Sequence, residues 1–166
     1  MRLTWWYHAL VALDTTAPPA EPLLRGLAAE LIPRGVSGSD LARLVGGWET
    51  LLEDEPSLEV IAEERGAVLF AAAATLLGAP LPSVAAGPGW ALSEVAVHSL
   101  DPALARRARN DARSRLDRIM DARWPASLRA LGALALLARF DVSATPPPVA
   151  GPRRIARLAW HRVTGR

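Results

Sequence analysis

Apolar residues recur at helical spacing along nearly the whole chain, and no stretch alternates strictly in twos. The clearest stripe is Leu41, Leu44, Val45, Trp48, Leu51 and Leu52, one face of an amphipathic helix. Before it, the pattern predicts a helix from Arg2 to Asp14, broken by TTAPPAEP. A second runs from about Glu21 to Ile32, with Leu24, Leu27, Ala28 and Leu31 on one side. PRGVSGS reads as a loop in which Ser37 or Ser39 can cap the third helix. Pro56 suits the first turn of a fourth helix that reaches Leu77 and stops at Gly78. Its stripe is Leu58, Ile61, Ala62, Leu69, Ala72 and Leu76, and Arg65 lies on that stripe.

Beyond a Pro-rich linker near 79–89, a short helix is expected from Trp90 to Leu100. Asp101 and Pro102 form an N-cap and first-position pair, opening an Arg-rich helix to about Arg123. Pro125 opens another that ends near Phe140. A second linker covers 143–152, and a basic helix from Arg153 to Val163 closes the chain. The sum is an all-α bundle of about eight helices in one domain, residues 1–166, without an internal repeat.

Composition narrows the chemistry. No cysteine occurs, which excludes disulfides, thiolate metal sites and a Cys nucleophile and suits a cytoplasmic location. All 19 basic residues are arginine, so no lysine exists for a Schiff base or a phosphate loop. Residues 1–100 carry 5 arginines and 12 acids, net −7; residues 101–166 carry 14 arginines and 5 acids, net +9. Such asymmetry marks either an anionic partner or two halves of one domain that face each other. The apolar runs AVLFAAAATLL and ALGALALLA fall short of the about 20 residues a bilayer span needs. No nucleophile elbow and no Gly-rich phosphate loop is present.

Six segments in order carry a resemblance: MRLTWWYHAL, PAEPLLRGLAAELIPRG, LVGGWETLLEDEP with LEVIAEERGAVLFAAAATLLG, GWAL, WPASLRALGALALLARFDV and PRRIARLAWHRVTGR. Together they resemble bacterial proteins of the squalene/phytoene synthase family over almost the whole chain. The resemblance implies a truncated isoprenoid-synthase fold, since the segment like RLTWW is internal in that family. It also implies head-to-head prenyl diphosphate condensation, with Mg²⁺ held by two Asp-rich clusters. The chain departs from that pattern. The first cluster belongs before Met1. Where the second belongs the chain reads SEVAVHSLDP, with His98 and Leu100 near positions expected to be acids and only Asp101 retained. The expected tyrosine of the fourth helix is Ile61. The expectation is therefore a degenerate, non-catalytic member without cofactor that binds a partner protein or a lipid-like ligand. The alternative is a Mg-dependent prenyltransferase lacking its first Asp-rich helix in this chain.

The remnant pocket so implied involves Trp48, Glu49, Arg65, Trp90, Glu94, His98 and Asp101. Arg65 on an apolar stripe needs a partner if buried. Glu49, flanking the preceding helix's stripe, is the expected one, against an anion-binding role. Glu94 and His98, four apart, read as a polar patch rather than a metal site. Asp117 and Asp121 read as surface ion-pair partners of nearby arginines on one helix face. The closing helix places Ile155, Leu158, Ala159 and Val163 in a strip bordered by Arg153, Arg154, Arg157, His161 and Arg162. With Trp160 these arginines suit a membrane or anion contact, peripheral to the inner membrane. The competing reading is a helix packed on the domain with its arginines solvated. No nucleic-acid partner is expected, for lack of a recognised binding fold. If the family's first helices are absent, the apolar surface around Trp5, Trp6 and Leu10 is expected to bury one of the tryptophans and to seat a second copy of the chain.

Overall fold

The computed structural model describes residues 2–166, and these form helices joined by turns and loops, with no strand. Eight helices follow one another: α1 (Arg2–Ala12), α2 (Pro22–Glu30), α3 (Gly38–Glu49), α4 (58–76), α5 (Ala86–His98), α6 (Pro102–Asp117), α7 (Arg129–Asp141) and α8 (Pro152–Thr164). The all-α bundle expected from the periodicity is therefore present. Short 3₁₀ turns lie at Ile32–Arg34, Thr50–Leu52 and Ala126–Leu128.

Local chemistry sets most boundaries. Ser37 caps α3 by accepting from the Asp40 N–H at 2.9 Å. Asp101 caps α6 through the Ala103 N–H at 2.8 Å, with Pro102 in the first turn. Several boundaries differ from the expectation; the helix expected to open at Pro125, for one, begins at Arg129 after a 3₁₀ turn. The first helix ends at Ala12, and Asp14 turns its carboxylate onto the start of α3. There it accepts from the Gly38 N–H, from the Ser39 N–H at 2.9 Å and from the Ser39 hydroxyl at 2.7 Å. Pro56 lies outside α4, which is capped by Ser57. The fifth helix begins at Ala86, not Trp90, because Pro88 falls in the first turn, where its missing N–H costs nothing. The sixth ends at Asp117, not Arg123, so Asp121 shares no helix face with Asp117. Asp117 keeps the expected pairing along its own helix, with Arg113 at 3.9 Å, and is also reached by Arg139 of α7.

Two apolar clusters form the interior, and α4 is their common wall. One joins Leu10 and Leu13 with Leu24, Val36, Leu41, Ala42 and Val45; Ala72 and Leu76 of α4 pack against it. The other gathers Phe70 and Ala74 of α4 with residues of α5, α6 and α7, among them Leu92, Leu116, Leu131 and Ala135, and with Leu128 and Val142 on either side of α7. Residues Ile61–Ala67 within α4 form a π-helix, with the Val68 N–H reaching back five residues to the Glu63 carbonyl. The wider turn rotates everything after it. Val68 and Phe70 point inward, whereas Leu69, expected on the buried stripe, is exposed.

The tryptophans at the start belong to an ordered helix, as expected, and they divide between the first cluster and solvent. Trp6 is mostly covered, packed against the first cluster, whereas Trp5 is 48% exposed. Leu10 is the residue of α1 that enters the core, so it is unavailable to an interface. The two indoles meet edge to face at 5.1 Å. Among the described residues, ion pairing between the acidic and basic halves of the chain is confined to Arg115 of α6, which reaches Glu59 and, at 3.7 Å, Glu63 of α4.

Candidate functional site

Arg65 stands where α3, α4 and α5 converge. Glycines allow that convergence: a Cβ at Gly47 would lie 2.9 Å from the Arg65 Cβ, and the backbones of Gly66 and Gly87 touch. Arg43 of α3 holds Glu64 of α4 with two bonds of 3.0 and 2.9 Å, fixing the same crossing.

The π-turn presents the Arg65 guanidinium between two indoles. Its Cζ lies 4.0 Å from the Trp48 ring centroid and 5.6 Å from that of Trp90. Trp90 is backed by the buried Phe70, centroid to centroid 6.0 Å. Trp48 is exposed and forms the outer wall. Among the described residues, Arg65 has no carboxylate within 4.0 Å and no hydrogen bond to protein. Partial burial pulls its pKa below the usual guanidinium value, and the charge of Glu94 opposes the shift.

The expected Arg65–Glu49 pair is therefore not formed. Trp48, not Glu49, is the residue of α3 that faces Arg65; Glu49 is exposed and makes no ion pair among the described residues. Of the remnant-pocket residues, the structure brings Trp48, Arg65 and Trp90 into contact, with Glu94 near. His98 is exposed and sits 3.7 Å from Glu94. Asp101 is spent as the cap of α6 and is not part of the cluster. No group of three or more His, Asp or Glu side chains among the described residues is placed to hold a metal ion.

The C-terminal set divides. Arg154, expected at a membrane or anion contact, is buried, 4% exposed. It donates to Asp141 at 2.6 Å and to the Pro147 carbonyl at 3.0 Å, and lies 5.5 Å from the Phe140 ring. Its charge is thus already matched. Arg157 is partly covered and donates to the Arg166 carbonyl. Arg153, Trp160 and Arg162 are exposed. His161, which the sequence placed at the strip's border, is fully buried, its Nε2 3.0 Å from the Arg129 carbonyl and its ring over Gly132.

Set against family models, curated proteins and solved structures, the chain matches none of them.

Proposed function

We propose that this chain is a non-catalytic helical protein of squalene/phytoene-synthase likeness that takes the anionic head of a lipid-like ligand between Trp48 and Trp90. The carrying observation is Arg65, a half-buried guanidinium with no acid in ion-pair reach among the described residues. A planar guanidinium offers a fork of N–H donors that suits carboxylate or phosphate. The indoles border it, 4.0 and 5.6 Å from its Cζ, and among the described residues no protein acceptor takes its N–H groups. An arriving anion would restore the electrostatic balance that burial removes, and the rings would give an apolar chain a surface to lie on. The place of action in this reading is a membrane surface, met through α8. No helix among the described residues is long and apolar enough to cross a membrane.

The alternative, head-to-head condensation, needs carboxylates that hold Mg²⁺ against diphosphate. The acids present do not suit that role. Asp101 caps a helix, and Glu94 stands with only His98 beside it. No step through Mg²⁺ is assigned. Self-association belongs to the proposal as well, with its face on α1, where Trp5 and Tyr7 are exposed. Sedimentation velocity tests it, and a clean monomer at micromolar concentration removes it.

The ligand reading is tested by tryptophan fluorescence of the whole chain. The probes are farnesyl diphosphate, inorganic pyrophosphate and farnesol. Farnesyl diphosphate is expected to quench, and Arg65→Gln to weaken it about tenfold or more, as for a lost charged hydrogen bond. Equal binding by Arg65→Gln moves the head elsewhere, and silence with every probe removes the ligand. Product formed with Mg²⁺ above a no-protein control would restore the enzyme reading.

A further inference from the structure

A surface helix ordinarily turns its apolar side to the core. The last helix does the reverse. Its two fully buried side chains are Arg154 and His161. Polar contacts hold it: Arg154 to Asp141, His161 to the Arg129 carbonyl, and the Trp124 N–H to the Gly165 carbonyl at 2.7 Å. Ile155 is 60% exposed, Trp160 60% and Val163 74%, and Ala159 is exposed among them. At helical spacing these residues share one outward face. Arg153 borders it beside Trp160, and Arg162 borders it beside Ile155. Neither guanidinium has a carboxylate or hydrogen-bond partner among the described residues. From Pro152 to Arg166 the sequence is rich in arginine and has no acid.

The surroundings continue the pattern. Grooves of about 540 and 430 Å³ flank α8 against α7, the first walled mainly by alanine and leucine, the second by apolar and aromatic side chains among three arginines. Arg162 stands in the wall of one and Arg153 in the wall of the other.

We infer that α8 lies flat on an anionic bilayer, with Ile155, Ala159, Trp160 and Val163 in the interface and Arg153 and Arg162 at lipid phosphates. The inference rests on the membrane placement proposed above and names the surface and the lipid charge. Charge complementarity selects the occupant. Cations on both long edges of an apolar strip, with no acid among them, match a plane of phosphates over acyl chains. The helix has 13 residues, about 20 Å, which lets it lie in an interface but not cross one.

The test is co-sedimentation of the whole chain with two sets of vesicles, one of phosphatidylcholine alone and one of phosphatidylcholine with phosphatidylglycerol. Binding is expected to the anionic vesicles and to weaken with salt. Arg153→Gln and Arg162→Gln should each reduce partitioning about fivefold. Trp160→Ala and Ile155→Ser should each reduce it about tenfold. All four side chains are exposed, so the helical signal in circular dichroism should hold. Leu23→Ala, an exposed apolar residue of α2, should partition as the parent does. Binding to neither vesicle set removes the membrane placement itself. Binding that ignores lipid charge or survives the α8 substitutions keeps the placement and overturns this inference. A dimer abolished by Trp160→Ala, without vesicle binding, assigns the face to a second copy and overturns it too.

Discussion

Gly46 and Gly47 are neighbours in α3, and alanine at either makes the same gain in helix propensity, about 1 kcal/mol. Their surroundings differ. A Cβ at Gly46 meets nothing within 4 Å, so Gly46→Ala should stabilise by about 0.5–1 kcal/mol. A Cβ at Gly47 would lie 2.9 Å from the Arg65 Cβ, 3.0 Å from its backbone N and 3.3 Å from its Cα. Backbone cannot swing aside as a side-chain tip can, so α3 must lift from the π-turn. Overpacking of this kind costs about 1–3 kcal/mol, enough to cancel or outweigh the propensity gain. The two variants should thus differ by about 1–3 kcal/mol in urea unfolding, with unchanged m-values. In a chain of this size each kcal/mol corresponds to about 2–4 °C in Tm. Gly47→Ala should also alter Trp48 fluorescence, since the indole rides on the same turn as the displaced contact. If both alanines stabilise equally, α3 and α4 do not meet at Arg65, and the stacked guanidinium loses its geometric basis.

Three further outcomes follow from the polar contacts. Arg65→Met should be neutral or mildly stabilising in chemical denaturation, because no carboxylate is orphaned; a loss of about 3–5 kcal/mol would instead indicate a buried ion pair. Asp141→Asn leaves the buried Arg154 without its anion and should cost on the order of 3 kcal/mol, read in the same assay; no measurable loss would mean that Arg154 is solvated. The Ser39 hydroxyl, then the Gly38 and Ser39 N–H groups, hold the Asp14 carboxyl below its ordinary pKa. Its contribution is therefore present above roughly pH 4, the unfolded value, and lost as pH falls through the lower folded value. Asp14→Asn should flatten the stability profile in that acid range, and an unchanged profile would refute the linkage.

Helix existence was legible because Pro, Gly and capping residues punctuate a strong 3.6-residue pattern. What stayed hidden was long-range or rotational. Asp14 caps a helix that begins 24 residues later, which no local signal encodes. The π-turn inserts one residue into a repeat, so the stripe through Ile61, Arg65 and Leu69 was continuous on paper and broken in space. Arg65 was recognisable as an anomaly, but its companion shifted by one position, from Glu49 to Trp48. In α8 the periodicity shows which residues share a face, not which way the face points. The side chains that dock the helix are the ones a hydropathy pattern assigns to solvent, Arg154 and His161.

The charge imbalance gains meaning from the same contacts. Had the basic half existed to face the acidic half, many of its arginines would reach acids before residue 101. Only Arg115 does so among the described residues. Arg113, Arg139 and Arg154 use acids of their own half, while Arg109 and Arg129 end on carbonyl oxygens. Arg106, Arg107, Arg118, Arg123, Arg153 and Arg162 have neither kind of partner among the described residues. Internal neutralisation therefore accounts for few of the arginines after residue 100, and these six are available to something outside the chain. Arg153 and Arg162 sit in this unmatched group and also border the exposed strip of α8. Charge and apolar exposure coincide on one helix, which is why a surface of anionic lipid accounts for both features with a single contact.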